Sequence, residues 1–539
     1  MKSIVFCLAC ATTVVHAQVI PPVRSTGAAT APELSGKILT PSTSKIPRIN
    51  GPSVFGQRPG RLFLYNVPAT GQRPMHFGAQ ELPDGLSIDE KTGRITGIVS
   101  APGEYNVALV AKNDLGASEK KFRIIIGDNI GLTPAMGWNS WNAWAEAVDQ
   151  EKCLRAAKAF VHFGLKDHGW TFVNIDENWQ GDRDPKTHAL QPSEQFPDLK
   201  AYCDEVHAMG LKAGIYSTPW KTSYSGNRGG SADDPEGSWT RPTTRYVGLD
   251  DKPGSPWSIG KYSFAEADAK QFARWGFDYL KYDWRPNREP ETREMAEALK
   301  ASGRDILYSL SNSTPFESAE MVAKYANSWR TTGDIRDTWW SIATIGFVQD
   351  RWAPYAGPGH FNDPDMLVVG YLGWSNKLHY TNLTADEQYA HISLWCLLSA
   401  PLLLGCDLDK LDPFTLNLLT NDEVLAIDQD ALGKQARLAS AQGGEVTLHH
   451  PTSTKTKPRN FPRGQVWLKE LEDGSRAMGL FNLGDEPMKV KADFSELKLE
   501  GRQTVRDLWR QTDLGAFENA YESEVAPHGV VLVKLSPAH

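Results

Sequence analysis

Between Pro47 and Gly127 apolar and polar residues alternate in short runs, as in Arg61-Leu62-Phe63-Leu64-Tyr65, Glu104 to Ala111 and Lys121 to Ile126. A period of two marks strands with one buried face. Pro83-Asp84-Gly85, Thr92-Gly93 and Asn113-Asp114-Leu115-Gly116 supply the turns between them. This pattern predicts a small β-sandwich over 46–128. From Thr133 the rhythm changes to strand, helix, strand, helix. Strands are expected at Ala135–Trp141, Thr171–Asn178, Lys212–Thr218, Tyr279–Asp283, Ile306–Ser311, Ser328–Gly333, Phe361–Leu367 and Pro401–Leu404. Helical stretches such as Glu151–Phe163, Ala265–Trp275, Glu291–Lys300 and Ala385–Cys396 fall between them. Eight such units predict a (β/α)8 TIM barrel over 129–432. The stretch 219–260 is long and rich in Gly, Ser, Pro and Trp; as a loop after a barrel strand it should shape the catalytic mouth. After Gly433 short strands return, and 433–539 reads as a C-terminal antiparallel β-sandwich.

A chain of 539 residues is long enough for two or three domains. Its 57 basic and 65 acidic residues leave it mildly acidic, which argues against nucleic acid as a partner and fits a neutral substrate. Residues 1–17 have a charged Lys2, an apolar run from Ile4 to Val15 and a small-residue site at Val15-His16-Ala17, so export to the periplasm or medium is expected. The run is too short for a permanent span, no later one is long enough, and Cys7-Leu8-Ala9 before Cys10 is a poor lipobox. Residues 18–45, rich in Pro, Ser, Thr, Gly and Ala, read as a linker or extended arm. After cleavage Cys153, Cys203, Cys396 and Cys406 remain, and buried free thiols are the favoured reading. These four show no CxxC spacing, and no His-rich metal spacing is present.

Several predicted strands end in a carboxylate beside a cation or an aromatic: Asp176-Glu177, Lys281-Tyr282-Asp283-Trp284, Arg330 to Asp334, and Asp363-Pro364-Asp365. Acids at the C-terminal ends of barrel strands ring one mouth. Two carboxylates facing each other across a sugar are what glycosidic cleavage requires. The 18 tryptophans, clustered near these acids, offer flat apolar faces for sugar rings or ordinary packing. For Trp179 and Trp329 both readings stand. A lone Asp at a strand end is usually a cap or turn, and Asp363 reads as a brace for its Asn-Asp-Pro turn. Asn312-Ser313-Thr314 fits a glycosylation sequon or a part of the cleft.

The ordered segments Leu132 to Trp141, Ile175 to Trp179, Leu280 to Asp283, Trp329 to Ile335, Asn362 to Met366, Ala400 to Leu403 and Ala426 to Gln435 resemble glycoside hydrolase family 27, whose best-known members are α-galactosidases. The resemblance covers about 130–539. Residues 82–97 resemble immunoglobulin-like domains appended to secreted hydrolases, acting as a spacer or as a second glycan contact. The family resemblance implies an enzyme that cleaves by double displacement without metal or organic cofactor. It implies Asp283 as nucleophile and Asp334 as general acid/base. On this reading Lys281 keeps Asp283 ionised and hydrogen-bonds a ring hydroxyl, Arg330 orients a sugar hydroxyl or Asp334 itself, and Asp176, Glu177 and Asp365 match groups that hold the sugar. Trp138 would be the wall beneath the ring, and Ser311 would lie at the sugar's C2 position.

The chain departs from the family at three places. Glu177 stands where relatives carry Asp, Trp284-Arg285 replaces Gly-Cys and removes a cleft disulfide, and Ser311 stands where galactosidases carry Glu. Trp284 would then bring a bulky ring into the cleft. These differences leave three functions in view: an exo-acting α-galactosidase, the same mechanism on another sugar (α-N-acetylgalactosaminide, β-L-arabinopyranoside or isomaltose-releasing dextran cleavage), and an inactive carbohydrate-binding barrel.

Overall fold

The computed structural model describes residues 37–538 apart from 249, 251 and 253. The expected export signal therefore lies outside the described residues. From Lys37 the segment expected as linker is an arm laid along the barrel. Tyr389 donates its hydroxyl to the Lys37 carbonyl at 2.7 Å, and Thr40 and Asn417 exchange backbone-to-amide hydrogen bonds.

The N-terminal domain is the expected sandwich. A four-stranded sheet runs Val54–Gln57, Gly116–Ile126, Gly103–Asn113 and His76–Gln80. It faces a three-stranded sheet of Leu62–Asn66, Arg94–Ile98 and Leu86–Ile88. Alternate residues Phe63, Tyr65, Leu109, Phe122 and Ile124 point into its own core. This domain docks where the barrel strands begin. Asp305 accepts from Gln57 and Arg58, Asp167 pairs with Arg73, and Arg94 donates to the Ala208 carbonyl. It therefore covers the face opposite the strand ends.

The barrel strands are β1 Met136–Asn139, β2 Phe172–Asn174, β3 Lys212–Ser217, β4 Tyr279–Asp283, β5 Leu307–Ser311, β6 Ser328–Arg330, β7 Phe361–Asp363 and β8 Leu402–Leu404. All are parallel and neighbours in sequence order, with β8 beside β1. Leu367, just past β7, closes the ring: it pairs with Leu404, and its N–H donates to the Leu403 carbonyl at 2.8 Å. In β4 the alternation is direct. Leu280 and Tyr282 face the helix layer, while Tyr279 joins Ala135, Phe172, Met366 and Leu403 at the floor of the barrel.

The helix Ala385–Leu397, capped by Thr384 with Glu387, is buried on nearly every side. The C-terminal domain supplies part of that cover through Phe481, Trp467 and Leu532 in the same core. That domain has a six-stranded antiparallel sheet, from Arg437–Leu448 to Thr512–Phe517, and a smaller sheet of Met488–Asp493 with Ala520–Val525. The four described cysteines are all buried free thiols.

Candidate active site

The carboxylates expected at strand ends converge on one cleft of about 750 Å³ at the C-terminal mouth of the barrel. Asp283 ends β4, and Lys281 two residues earlier shares its face. Asp176 and Glu177 follow β2, Arg330 ends β6, Asp334 lies in the following loop, and Asp365 follows β7; all of them line the cleft. Lys281 Nζ lies 2.8 Å from Asp176 Oδ2 and 4.0 Å from Asp283 Oδ2. Arg330 Nη2 lies 2.8 Å from Asp365 Oδ2 and 3.3 Å from Asp334 Oδ1. Thus one cation serves each half of the site.

Local structure explains how these groups are held. Glu177 Oε2 accepts from the Ser225 N–H at 3.1 Å, so the long loop after β3 braces it. Asp365 has φ +98°, a conformation that L residues rarely adopt. Four neighbours over-determine it: Asp363 Oδ1 accepts its N–H, Ile335 and Met366 donate to its carboxylate, and the Trp395 indole donates to its carbonyl. Asp363 thereby braces the turn. One oxygen of Asp283, Oδ1, is buried and has no donor among the described residues.

Three expectations need correction. Trp138 is fully buried, packs in the strand–helix layer and donates its indole N–H to the Cys406 carbonyl at 2.7 Å, so it is no wall of the cleft. Strand alternation points Asn139 inward instead and brings Trp141 to the mouth. Trp284 likewise turns outward, edge-on to Tyr282, and it is Arg285 that enters the cleft. Ser311 lies beneath the cleft, in the small cavity that also holds Lys281 and Arg330. Its buried Oγ has no partner among the described residues, and Asn312, just past β5, is the residue that reaches the cleft wall.

Trp179 and Trp329 are fully buried packing residues, the first giving its indole N–H to the Tyr216 carbonyl. Trp374, Tyr224 and Tyr246 also line the cleft and were not singled out in the sequence. The two tyrosines come from the 219–260 stretch, whose richness in aromatics was the available signal. Trp257 and Trp239 hold that stretch in place through indole hydrogen bonds to the Ser223 carbonyl and Thr222 Oγ1. Tyr246 in turn accepts from Arg285 Nη2 at 2.6 Å. The N-terminal domain contributes nothing to this cleft among its described residues.

Burial dominates the electrostatics. It pushes Asp283 up to about 6, and Lys281, which lies closer to Asp176, is the strongest neighbour pulling the other way. Glu177 is pushed up to about 7, chiefly by burial, although a hydrogen bond from Ser223 opposes the shift. For Lys281 burial works against the charge, but Asp176 and then Asp283 outweigh it and raise its pKa. Asp334 differs because its side chain is 57% exposed. Partial enclosure opposes its ionisation, yet Arg330, then Lys281 and Arg336, hold its carboxyl below the usual range.

Comparison with known proteins identifies relatives for each of the three domains. The family model of alpha galactosidase A matches residues 133–234 and 246–430, that of the alpha galactosidase C-terminal beta sandwich domain matches 463–535, and that of a "putative Ig domain" matches 46–127. Alpha-galactosidase 2 of Arabidopsis thaliana is 35% identical over 422 residues, covering 77% of this chain and 92% of the plant protein. A Bacteroides fragilis crystal structure described as a "putative alpha-galactosidase" is 31% identical with a TM-score of 0.77, covering 92% of this chain and 99% of that one. A family 27 β-L-arabinopyranosidase from Geobacillus stearothermophilus is 27% identical with a TM-score of 0.62, covering 76% of this chain and 97% of that one.

Proposed function

Because the chain belongs to the alpha-galactosidase family of glycoside hydrolases, we propose that it releases terminal α-linked galactose from oligo- or polysaccharides by a retaining double displacement. The observation that carries this reading is the pair Asp283 and Asp334, raised from β4 and from the loop after β6 into one cleft with a cation beside each. Asp283 Oδ1, free of other donors, attacks the anomeric carbon. Asp334 gives its proton to the departing oxygen and then takes one from water. Asp176, Lys281 and Asp365 hold the ring hydroxyls, and Trp141 and Trp374 are the aromatic faces available to the sugar.

The first step needs one proton on the pair, placed on Asp334. In the open cleft that proton rests more readily on Asp283. A bound sugar reverses the order in two ways. It covers a carboxylate that is now exposed, which disfavours its charge, and its hydroxyls compete for Arg330. A panel of aryl α-glycosides, with the anomer of the first product read by NMR, tests the proposal. A product with inverted configuration would refute the double displacement.

Glu177 supports one second reading. It is buried, and its carboxylate is fixed by Ser225, so its additional methylene narrows the pocket by that length. β-L-Arabinopyranose has the ring hydroxyls of α-galactose and lacks only the C6 hydroxymethyl, so it fits a shortened pocket. Comparing aryl β-L-arabinopyranoside with aryl α-galactoside decides between the two sugars.

A further inference from the structure

Asp334 borders a second hollow besides the cleft. Beyond it lies an open groove of about 850 Å³ whose walls come from two domains. The barrel gives Thr332, Trp340 and Thr344, from the loop after β6 and the helix Trp339–Gly346. The C-terminal domain gives Thr456, Lys457 and Arg459, from the tongue that joins its strands Arg437–Leu448 and Arg459–Glu470.

The tongue is a built feature. His450 packs its ring edge-on against Trp340, with centroids 4.5 Å apart. Its Nδ1 accepts the N–H groups of Thr452 and Ser453 at 3.2 and 2.9 Å, and Thr456 Oγ1 donates to Ser453 Oγ at 2.9 Å. The turn that presents Lys457 is thereby fixed on the barrel.

Charge in the groove is one-sided. Of the described residues that line it, Asp334 alone carries a carboxylate, whereas Lys457 and Arg459 are both cationic. Neither cation has a carboxylate within ion-pair distance among the described residues. On the other side of Asp334, Arg336 lies over the Trp374 ring at 4.7 Å, close enough to act on the Asp334 charge. A protein with a net charge of −8 has acidic groups to spare, yet it leaves these cations unpaired beside its acid/base carboxylate. The departing part of a substrate must pass on the side of the proton donor. We propose that this groove is the leaving-group subsite and that it selects a saccharide bearing an anionic group, a carboxylate or a sulfate, which Lys457 and Arg459 engage while the Trp340 ring takes the sugar face. The inference rests on the glycosidase reading above and adds the class of leaving group to it.

The test compares α-galactosyl disaccharides that share the glycone and differ in the second sugar: glucose, glucuronate, or sulfated glucose. At low ionic strength we expect kcat/KM to be about tenfold higher for an anionic partner than for glucose, the scale of two solvent-facing charge pairs. The preference should shrink with added salt and fall toward unity in the K457A/R459A variant. A charge-reversed K457E/R459E variant should favour glucose, and whether glucuronate or sulfate gains more identifies the anion. Equal rates at low salt, or a preference that survives the double substitution, would overturn the subsite. If arabinopyranosides are cleaved in place of galactosides, the same three leaving groups are compared on that sugar. Calorimetric binding of the three free sugars to D283N makes the comparison without turnover. Absence of turnover on any glycoside refutes the enzymatic reading, while equal binding refutes this one.

Discussion

The two ends of the cleft are built on opposite terms. At the sugar end, Asp176, Glu177, Asp283, Arg330 and Asp365 are all at most 5% exposed and stand on strand ends or on turns tied to them. Their charges are buried and mutually compensated. At the leaving-group end, Asp334, Lys457 and Arg459 are exposed, and the walls are lent by a helix and by a tongue from another domain. Buried, preorganised charge acts with little screening, while exposed charge acts weakly and yields to salt. The difference implies that chemistry and sugar identity are fixed deep in the barrel, and that preference for the departing group is adjusted at the rim.

The largest expected effect lies in the buried half. D283N should lower kcat by on the order of 10⁴-fold or more, since no other carboxylate can form the glycosyl ester. D334N should lower it by roughly 10²–10⁴-fold on natural glycosides and far less on aryl glycosides whose leaving groups need no proton. Circular dichroism would show whether both variants keep the fold. Equal loss on both substrate types for D334N would break the division of labour between the two ends.

The pH profile comes next in size. The pair must retain one proton, and its upper pKa is that of Asp283, about 6. Hence kcat/KM should fall as pH rises through about 6, near tenfold per unit, because the proton destined for Asp334 is lost. Lys281 pulls the Asp283 pKa down, so K281M should move this alkaline limb to higher pH. The same change leaves Asp176 without its closest cation and should cost about 3–5 kcal/mol of stability, the scale for breaking a buried pair. A limb that stays in place in K281M would show that Asp283 does not set it.

Smaller again is the effect of one methylene. E177D should raise the ratio of α-galactoside to β-L-arabinopyranoside cleavage by roughly 10–200-fold, the range for a methylene in a closed pocket. An unchanged ratio would place the C6 group elsewhere.

What could be read from the sequence follows the same divide. The sugar end was legible because acids at the ends of barrel strands fall at one mouth, which puts Lys281 on the face of Asp283, and because the family resemblance gave Asp283 and Asp365 their roles. Trp138 and Trp284 were misplaced for want of the strand's alternation: each neighbours an inward residue and therefore points outward. Ser311 was expected at the cleft, where Asn312 stands, because the chain leaves strand geometry at the end of β5 and period two stops predicting direction there. Trp374, Tyr224 and Tyr246 reach the cleft from irregular segments with no period at all. The groove beyond Asp334 joins residues 332–345 to 456–459, and only the packing of the C-terminal domain on the barrel brings them together.

The smallest expected effect probes that junction. His450 links the tongue to the barrel through the Trp340 ring and holds the following turn through Nδ1. Both contacts are partly solvent-facing, and an aromatic pair contributes only about 0.5–1.5 kcal/mol. H450A should therefore leave Tm nearly unchanged, because the tongue lies outside the domain cores. Its effect should appear in the ratio of anionic to neutral leaving groups, lowered about twofold to fivefold as Lys457 and Arg459 lose their fixed position. H450F, which keeps a ring against Trp340 but not the acceptor, should fall between the two. If both variants keep the full ratio, the tongue needs no anchor and the two cations act as a diffuse field; if both lose it completely, position outweighs charge, and the rim is as preorganised as the floor.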